Sequence, residues 1–316
     1  MRRWLKAAGK RASERMFHTF QGLGFDVLPR HFYSEIPDIA KLRRSAHWRE
    51  PYTMIGVNGT DVDVQLQYLE SVMTPDVRER LVAEDMHAYA CGENGEPGYG
   101  RVEADVLYSV IRTSRPKRVV QIGCGVSTAL ILAAGEHAGY RPKVLCVDPY
   151  PTDFLKRLAA AGSIELLARP VEALGWEPLL ALHAGDLFFV DSTHTLGPAG
   201  EVSRIILEML PRLNDGVLVH FHDIYFPYDY PTDILEGALF FSHESPLLHA
   251  FLVNNPRFEI LASMSMLHHQ RPTQLFYSAY PRSSVAAINN ATWLRNGLHA
   301  PALDPSALAE WQRRLT

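Results

Sequence analysis

Two short stretches carry the side chains best suited to chemistry. VDSTHT (190–195) holds Asp191 and, three residues on, His194; VHFHDI (219–224) holds His220, His222 and Asp223. A near-neutral imidazole can take a proton from a hydroxyl at pH 7, so His194 is the candidate catalytic base, with Asp191 beside it. His220 and His222 fall on the same side of an extended segment, and the deeper His220 reads as a core histidine. In VVQIGCGVST (119–128) a β-branched run is followed by Gly123 and Gly125, which allow positive φ and keep Cβ atoms out of a ligand's path. Ser127 then opens an alanine-rich helix whose free N–H groups face that loop, a geometry that binds nucleotide-like cofactors. A dinucleotide fingerprint needs a third glycine where this chain has Thr128, which argues against NAD or FAD. Asp148, followed by Pro149 in DPYP, ends VLCVD, where a carboxylate can accept bonds from ribose hydroxyls.

The elements that must position these residues alternate along the chain. Strands are expected at 117–122, 143–148, 163–170, 186–191 and 217–223, with helices between them at 127–139, 152–162, 176–185 and 199–213. That rhythm implies a parallel sheet wound on both faces, in which ligands sit beyond the carboxyl ends of the strands. Every polar signal above falls at such an end. VEADVLYSVIR (102–112) has helical spacing and is stopped by Pro116, whereas the first hundred residues read as irregular and CGENGEPGYG (91–100) as a loop. Residues 1–95 are therefore expected to form an N-terminal cap or substrate lid and 96–316 the main domain. Tyr99 and Glu103, in GYGRVEAD, are expected to contact cofactor or acceptor. YFPYDYP (225–231) is a stiff aromatic segment suited to an acceptor wall, His243 and Glu244 open a further helix, and LHHQRP (267–272) reads as a loop.

RVVQIGCGVST, VLCVDPYP, DLFFVDSTHT and GVLVHFHDIYFPYDYP together resemble class I S-adenosylmethionine-dependent methyltransferases over residues 96 to 300, and more closely the metal-dependent sugar and catechol O-methyltransferases. The resemblance implies an α/β, Rossmann-like, seven-stranded and mostly parallel sheet ending in an antiparallel hairpin, drawn from 257–264 and 291–296. It implies that the loop of Gly123, Gly125 and Ser127 approaches the methionine part of the cofactor. Asp148 and Pro149 then lie at the ribose, and the turn 169–172, including Val171, at the adenine. It makes the strands ending in Asp191 and His222 neighbours, so that Asp191, His222 and Asp223 converge on one point. Two carboxylates and an imidazole suit Mg²⁺, Mn²⁺ or Fe²⁺, although His222 stands where the resembling enzymes favour an oxygen ligand. The implied activity is methyl transfer to a hydroxyl or carboxyl oxygen of a small molecule, with Asp191 serving cofactor and metal alike.

Composition bounds the alternatives. With 47% hydrophobic and 21% charged residues and a net charge of −4, the chain is an ordinary globular one without a basic nucleic-acid-binding block. Cys91, Cys124 and Cys146 lack paired spacing and read as reduced thiols of a cytoplasmic protein. The longest uncharged run, 119–135, is too short and polar to span a bilayer, and the arginine-rich start reads as a solvated helix. A homo-oligomer is compatible with all of this. The competing functions are a nicotinamide-dependent oxidoreductase or epimerase, disfavoured by Thr128, and a non-catalytic S-adenosylmethionine-binding protein.

Overall fold

The computed structural model describes residues 2–32, 34–272 and 291–297. The chain divides into two units, Met1–Ala46 and His47–Thr316. The first holds α1 (Arg2–Gln21) and α2 (Ile39–Arg44), the latter capped by the Asp38 side chain accepting from the Lys41 amide. None of the α2 residues is buried.

The second unit opens with α3 (Val62–Val72), α4 (Pro75–Ala83), α5 (Met86–Asn94) and α6 (Arg101–Ser114). Three helices thus occupy a stretch that reads as irregular in sequence, and residues 91–94 belong to α5 instead of a loop. Their apolar residues are few but deep: Leu69, Met86 and Ala90 are wholly buried, so tertiary packing stabilises short helices of weak intrinsic signal. The alternating part follows, with β1 (Arg118–Ile122), α7 (Val126–His137), β2 (Lys143–Val147), α8 (Asp153–Ala160), β3 (Glu165–Leu167), α9 (Trp176–Leu180) and β4 (Leu187–Val190). After it come α10 (Glu201–Arg204), β5 (Leu218–Phe221), α11 (Glu244–Leu252), β6 (Phe258–Ser263), α12 (Met264–Gln270) and β7 (Thr292–Asn296). The expected helix at 199–213 keeps α geometry only in α10; it widens to a π turn at Ile205–Met209 and tightens to a 3₁₀ turn at Leu210–Arg212 around Pro211. The helix expected to reach 185 stops at Leu180, and His268 and His269 lie in α12, not in a loop.

The seven strands form one sheet in the order β3-β2-β1-β4-β5-β7-β6, with helices on both faces. Strands β1 to β5 run parallel, and β7 pairs antiparallel with β5 and β6, which makes the expected terminal hairpin. The central strands are covered on both sides, and β1, β4 and β5 bury Val119, Val120, Phe188, Phe189 and Val219 completely. Buried Gln121 is satisfied within this core: its amide donates to Ser127 Oγ at 3.1 Å and its carbonyl oxygen accepts from Thr128 Oγ1 at 2.9 Å, tying β1 to the first turn of α7. Among the described residues no helix is long and apolar enough to cross a membrane.

Candidate active site

The carboxyl ends of β1, β2, β4 and β5 meet along one rim of the sheet. Gly123, just past β1, has φ +78°, and a Cβ there would lie 1.8 Å from the Asp191 carbonyl oxygen. The glycine is thus required by the close passage of this chain's own backbone beyond β4, a different reason from ligand clearance. Gly125 has φ +146°, and its Cβ position is bounded by the Asn94 side chain at 3.1 Å. Asn94, at the end of α5 and within the stretch 91–100 expected as a loop, also accepts from Thr152 Oγ1 at 3.0 Å, so its side chain is held beside the glycine loop. Half-buried Asp148 accepts from the Cys124 amide at 3.3 Å and the Tyr150 amide at 2.8 Å, which binds the glycine loop to the turn after β2. Pro149 and Tyr150 beside it are exposed. The Ser127 hydroxyl is turned into the core against Gln121, and Val171, in the turn Val171–Ala173, is buried.

The ends of β4 and β5 gather the titratable side chains. Nε2 of His194 lies 3.5 Å from Asp191 Oδ1 and 3.3 Å from Asp223 Oδ2. Its Nδ1 lies 2.6 Å from Oε2 of Glu244, the first residue of α11, whose other oxygen accepts from Ser192 Oγ at 3.0 Å. His222 Nδ1 approaches Asp191 Oδ1 at 3.2 Å and Asp223 Oδ2 at 3.7 Å. Tyr99 stacks on His222 with ring centroids 4.6 Å apart and donates its hydroxyl to His220 Nε2 at 2.9 Å. Buried Glu103, from the first turn of α6, completes the acidic surroundings of Tyr99 and His222. His220 is fully enclosed between Phe189 and Trp293, as a core histidine should be. Tyr99, His194 and Asp223 all adopt left-handed φ, of +62°, +59° and +53°, as do Arg115, Ala199, Leu239 and Asn254 elsewhere in the chain.

Charge explains the protonation of this cluster. Burial disfavours an imidazolium at His194, but hydrogen bonds to Asp191 and Glu244 and the charge of Asp223 outweigh it and raise the ring to about 10. At His222 burial is likewise overcome, chiefly by Asp191 and then Asp223, and the ring rises to about 9. Asp191 is driven far below the usual carboxylate range because the two imidazoles outweigh its burial. Burial pushes the Glu244 carboxyl up, yet the higher affinity of His194 keeps the shared proton on the ring. Burial, reinforced by Glu103, Asp191 and Asp223, holds Tyr99 protonated. Burial and neighbouring His222 keep His220 neutral, so it accepts the Tyr99 hydroxyl.

The donor set can also be tested for a divalent ion. Asp191, His194 and Asp223 each offer one ligand atom, all within 4.8 Å of one another. Ligands about 2.1 Å from a small cation stand roughly 3 Å apart along an octahedral edge, near the observed spacing. A ligating histidine donates its other N–H to a second group, as His194 does to Glu244. His222, placed among the ion ligands by sequence, leaves its buried Nε2 with no hydrogen-bond partner among the described residues. The geometry therefore assigns the nitrogen of such a site to His194 in preference to His222.

Cavities border the fold among the described residues. One, of 560 Å³, lies away from these residues, among α7, α8, β2 and β3. A smaller one of 190 Å³ is lined by Trp48, Tyr225, Tyr228, Asp229 and His269, so the aromatic segment expected as an acceptor wall does border a pocket. Serines at 242 and 245 clamp that segment. Ser245 Oγ accepts from the Tyr225 and Phe226 amides, while Ser242 Oγ donates to the carbonyl of His194 and lies 2.7 Å from Tyr230 Oη, in hydrogen-bond contact with it.

The strand order, the glycine loop after β1 and the acids after β2, β4 and β5 agree with the Rossmann-like methyltransferase fold that the resemblance implies. Residues 120–224 match a family model described as a methyltransferase domain. The chain is similar to an uncharacterised protein of Archaeoglobus fulgidus, 27% identical over 152 residues that make up 46% of this chain and 68% of that one. Among solved structures it resembles the SAH-bound Podospora anserina methyltransferase PaMTH1, at 15% identity and a TM-score of 0.40, covering 86% of this chain and 99% of that one. It also resembles the SAH complex of the plantazolicin methyltransferase BpumL, at 12% identity and a TM-score of 0.36 over 75% and 96% of the two chains.

Proposed function

We propose that the chain methylates an oxygen of a small-molecule acceptor, with His194 as the base. The observation that carries this reading is the different surroundings of the two imidazole nitrogens: Nδ1 is committed to buried Glu244, and Nε2 is directed to the strand-end carboxylates Asp191 and Asp223. Bound along the glycine loop, S-adenosylmethionine supplies a sulfonium methyl group. The acceptor oxygen forms its new bond to that methyl carbon as the carbon–sulfur bond breaks, with the electron pair going to sulfur. His194 Nε2 receives the hydroxyl proton; a carboxylate acceptor would need no such transfer.

Asp148 and Pro149 take the ribose end on this reading, Val171 the adenine end, and Gly123, Gly125 and Asp191 the methionine end. Ser127 contributes its backbone, since its hydroxyl is held by Gln121. Tyr99 and Glu103 close the far side, residues 96–316 carry the transfer, and 1–95 tune the acceptor. The cation brought in by the cofactor also competes with the His194 imidazolium for Asp191 and Asp223, which favours the neutral base. Calorimetry should show S-adenosylhomocysteine binding and no NAD binding; the reverse overturns the reading. Labelled S-adenosylmethionine offered to hydroxyl, carboxyl and amino acceptors should mark oxygen, and an N-methyl product refutes that choice.

The spacing of Asp191, His194 and Asp223 favours one second reading, a bound divalent ion. It would lower the pKa of an acceptor hydroxyl, and His194 would then be a ligand in place of a base. Metal content by mass spectrometry, with turnover before and after EDTA, separates the two: full activity of a metal-free preparation excludes the ion.

A further inference from the structure

Glu244 is fully buried, and both of its oxygens are engaged, one on the His194 ring and one by Ser192. An ionised carboxylate only accepts hydrogen bonds, so the proton between them is carried by Nδ1; Nε2, protonated as well in the ligand-free chain, is the nitrogen that faces the site and must give up its proton before it acts as a base. The 2.6 Å separation is at the short end for a charge-assisted contact. The same segment restrains the backbone. The carbonyl of His194 accepts from the amides of His243 at 3.1 Å and Glu244 at 3.3 Å and from Ser242 Oγ at 2.5 Å. These contacts hold the left-handed φ that turns the ring toward Asp191 and Asp223.

We propose that Glu244 is the positioning residue of the site, fixing the tautomer and ring direction of His194 so that Nε2 alone meets the acceptor. The assignment rests on the reading of His194 as the proton acceptor. Glu244 touches no reacting atom. It acts through the far nitrogen, where a buried carboxylate also stabilises the imidazolium formed when Nε2 takes a proton. A backbone carbonyl could select the same tautomer, but it could not supply that countercharge. The choice of a buried acid over a neutral acceptor is what distinguishes a positioning role from simple loop anchoring.

The test is NMR of the full chain labelled with ¹⁵N-histidine, which needs no acceptor and no turnover. The Nδ1 proton of His194, assigned by its loss in His194→Gln, should resonate far downfield. It should move upfield or vanish in Glu244→Gln. Leu248→Ala removes a buried side chain from the same helix and should lower stability while leaving the signal in place. If Glu244→Gln does not fold, Glu244→Asp carries the test, because the shorter carboxylate cannot keep the 2.6 Å contact to Nδ1 and should shift the same resonance. An Nδ1 without a proton in the wild type, a signal unmoved by Glu244→Gln, or an equal shift in Leu248→Ala overturns the proposal. An intact downfield signal in a chain that methylates nitrogen, or nothing, refutes the proposed function and leaves only the Glu244–His194 hydrogen bond, without its role toward an acceptor.

Discussion

Replacing Gly123 with alanine tests how closely the β1 loop and the end of β4 are fitted together. Two costs follow from the geometry. At φ +78° an alanine sits in the left-handed region, which costs about 1–2 kcal/mol. Its Cβ would also lie 1.8 Å from the Asp191 carbonyl oxygen, a backbone atom that must move, and overpacking of that kind adds about 1–3 kcal/mol. The sum is roughly 2–5 kcal/mol, or about 4–10 °C in melting temperature at roughly 2 °C per kcal/mol for a chain of this size. Gly139→Ala is the control, because its φ is +69° and nothing stands within 4 Å of its Cβ. It should lose only the strain term, about 2–4 °C by the same conversion. Thermal unfolding by circular dichroism of both variants reads the difference. Equal shifts would show that the Asp191 backbone yields freely and that the rim is not rigidly packed. A larger loss in Gly123→Ala should be accompanied by weaker S-adenosylhomocysteine binding, since displacing Asp191 disturbs the site itself.

Three other outcomes are expected. Asp148→Ala should weaken S-adenosylhomocysteine binding by about 1–3 kcal/mol in calorimetry, because it removes an acceptor and loosens the Cys124 amide; unchanged affinity would take Asp148 out of the site. In the metal-free chain His194 and His222 keep their protons to about 10 and 9, against 6.5 when unperturbed, so their contribution to stability is complete below 6.5 and is lost as pH rises through 9 to 10. Urea midpoints should fall over that interval in the wild type and less steeply in His194→Gln; parallel slopes would refute the ion-pair account. Tyr99→Phe should cost about 1–3 kcal/mol in thermal unfolding, because it leaves His220, whose Nδ1 already lacks a partner among the described residues, without its bond at Nε2.

Much of the sheet was legible because each strand is a compact apolar run bounded by turn residues. VVQI, VLCV, LFFV and LVHF all lie in strands whose carboxyl ends carry the polar residues. The helices of the first hundred residues were not legible. Helix α4, PDVRERLVA, buries only Val77 and Leu81, too few to show a periodicity. The π turn after α10 was equally hidden, since periodicity survives a local change of winding. At the site, Asp191 and His194 were legible as a pair three residues apart. The choice between His194 and His222 was not, because it depends on which ring receives a carboxylate on its second nitrogen. That carboxylate, Glu244, stands 50 positions from its partner in sequence; the sequence offers it with His243 as a helix-opening pair that could face the site, and the packing of α11 shows which ring it meets. The placing of Asn94 beside the glycine loop is of the same kind, since the stretch 91–100 reads only as a loop in sequence.

The clamp made by Ser242 and Ser245 divides the aromatic segment into two parts with different freedom to vary. Tyr225, Phe226 and Tyr230 are fastened through it to the carbonyl of His194. A substitution that shifts any of them is passed to the His194 backbone, so under the proposed function a change of acceptor preference gained there is expected to lower turnover as well. Tyr228 and Asp229 lie between these anchors, line the pocket, and make no bond to either serine. They can be exchanged without turning the base. Evolution, or a designer, seeking a different acceptor has a separate dial at these two positions, and relatives that diverge in substrate should differ there first.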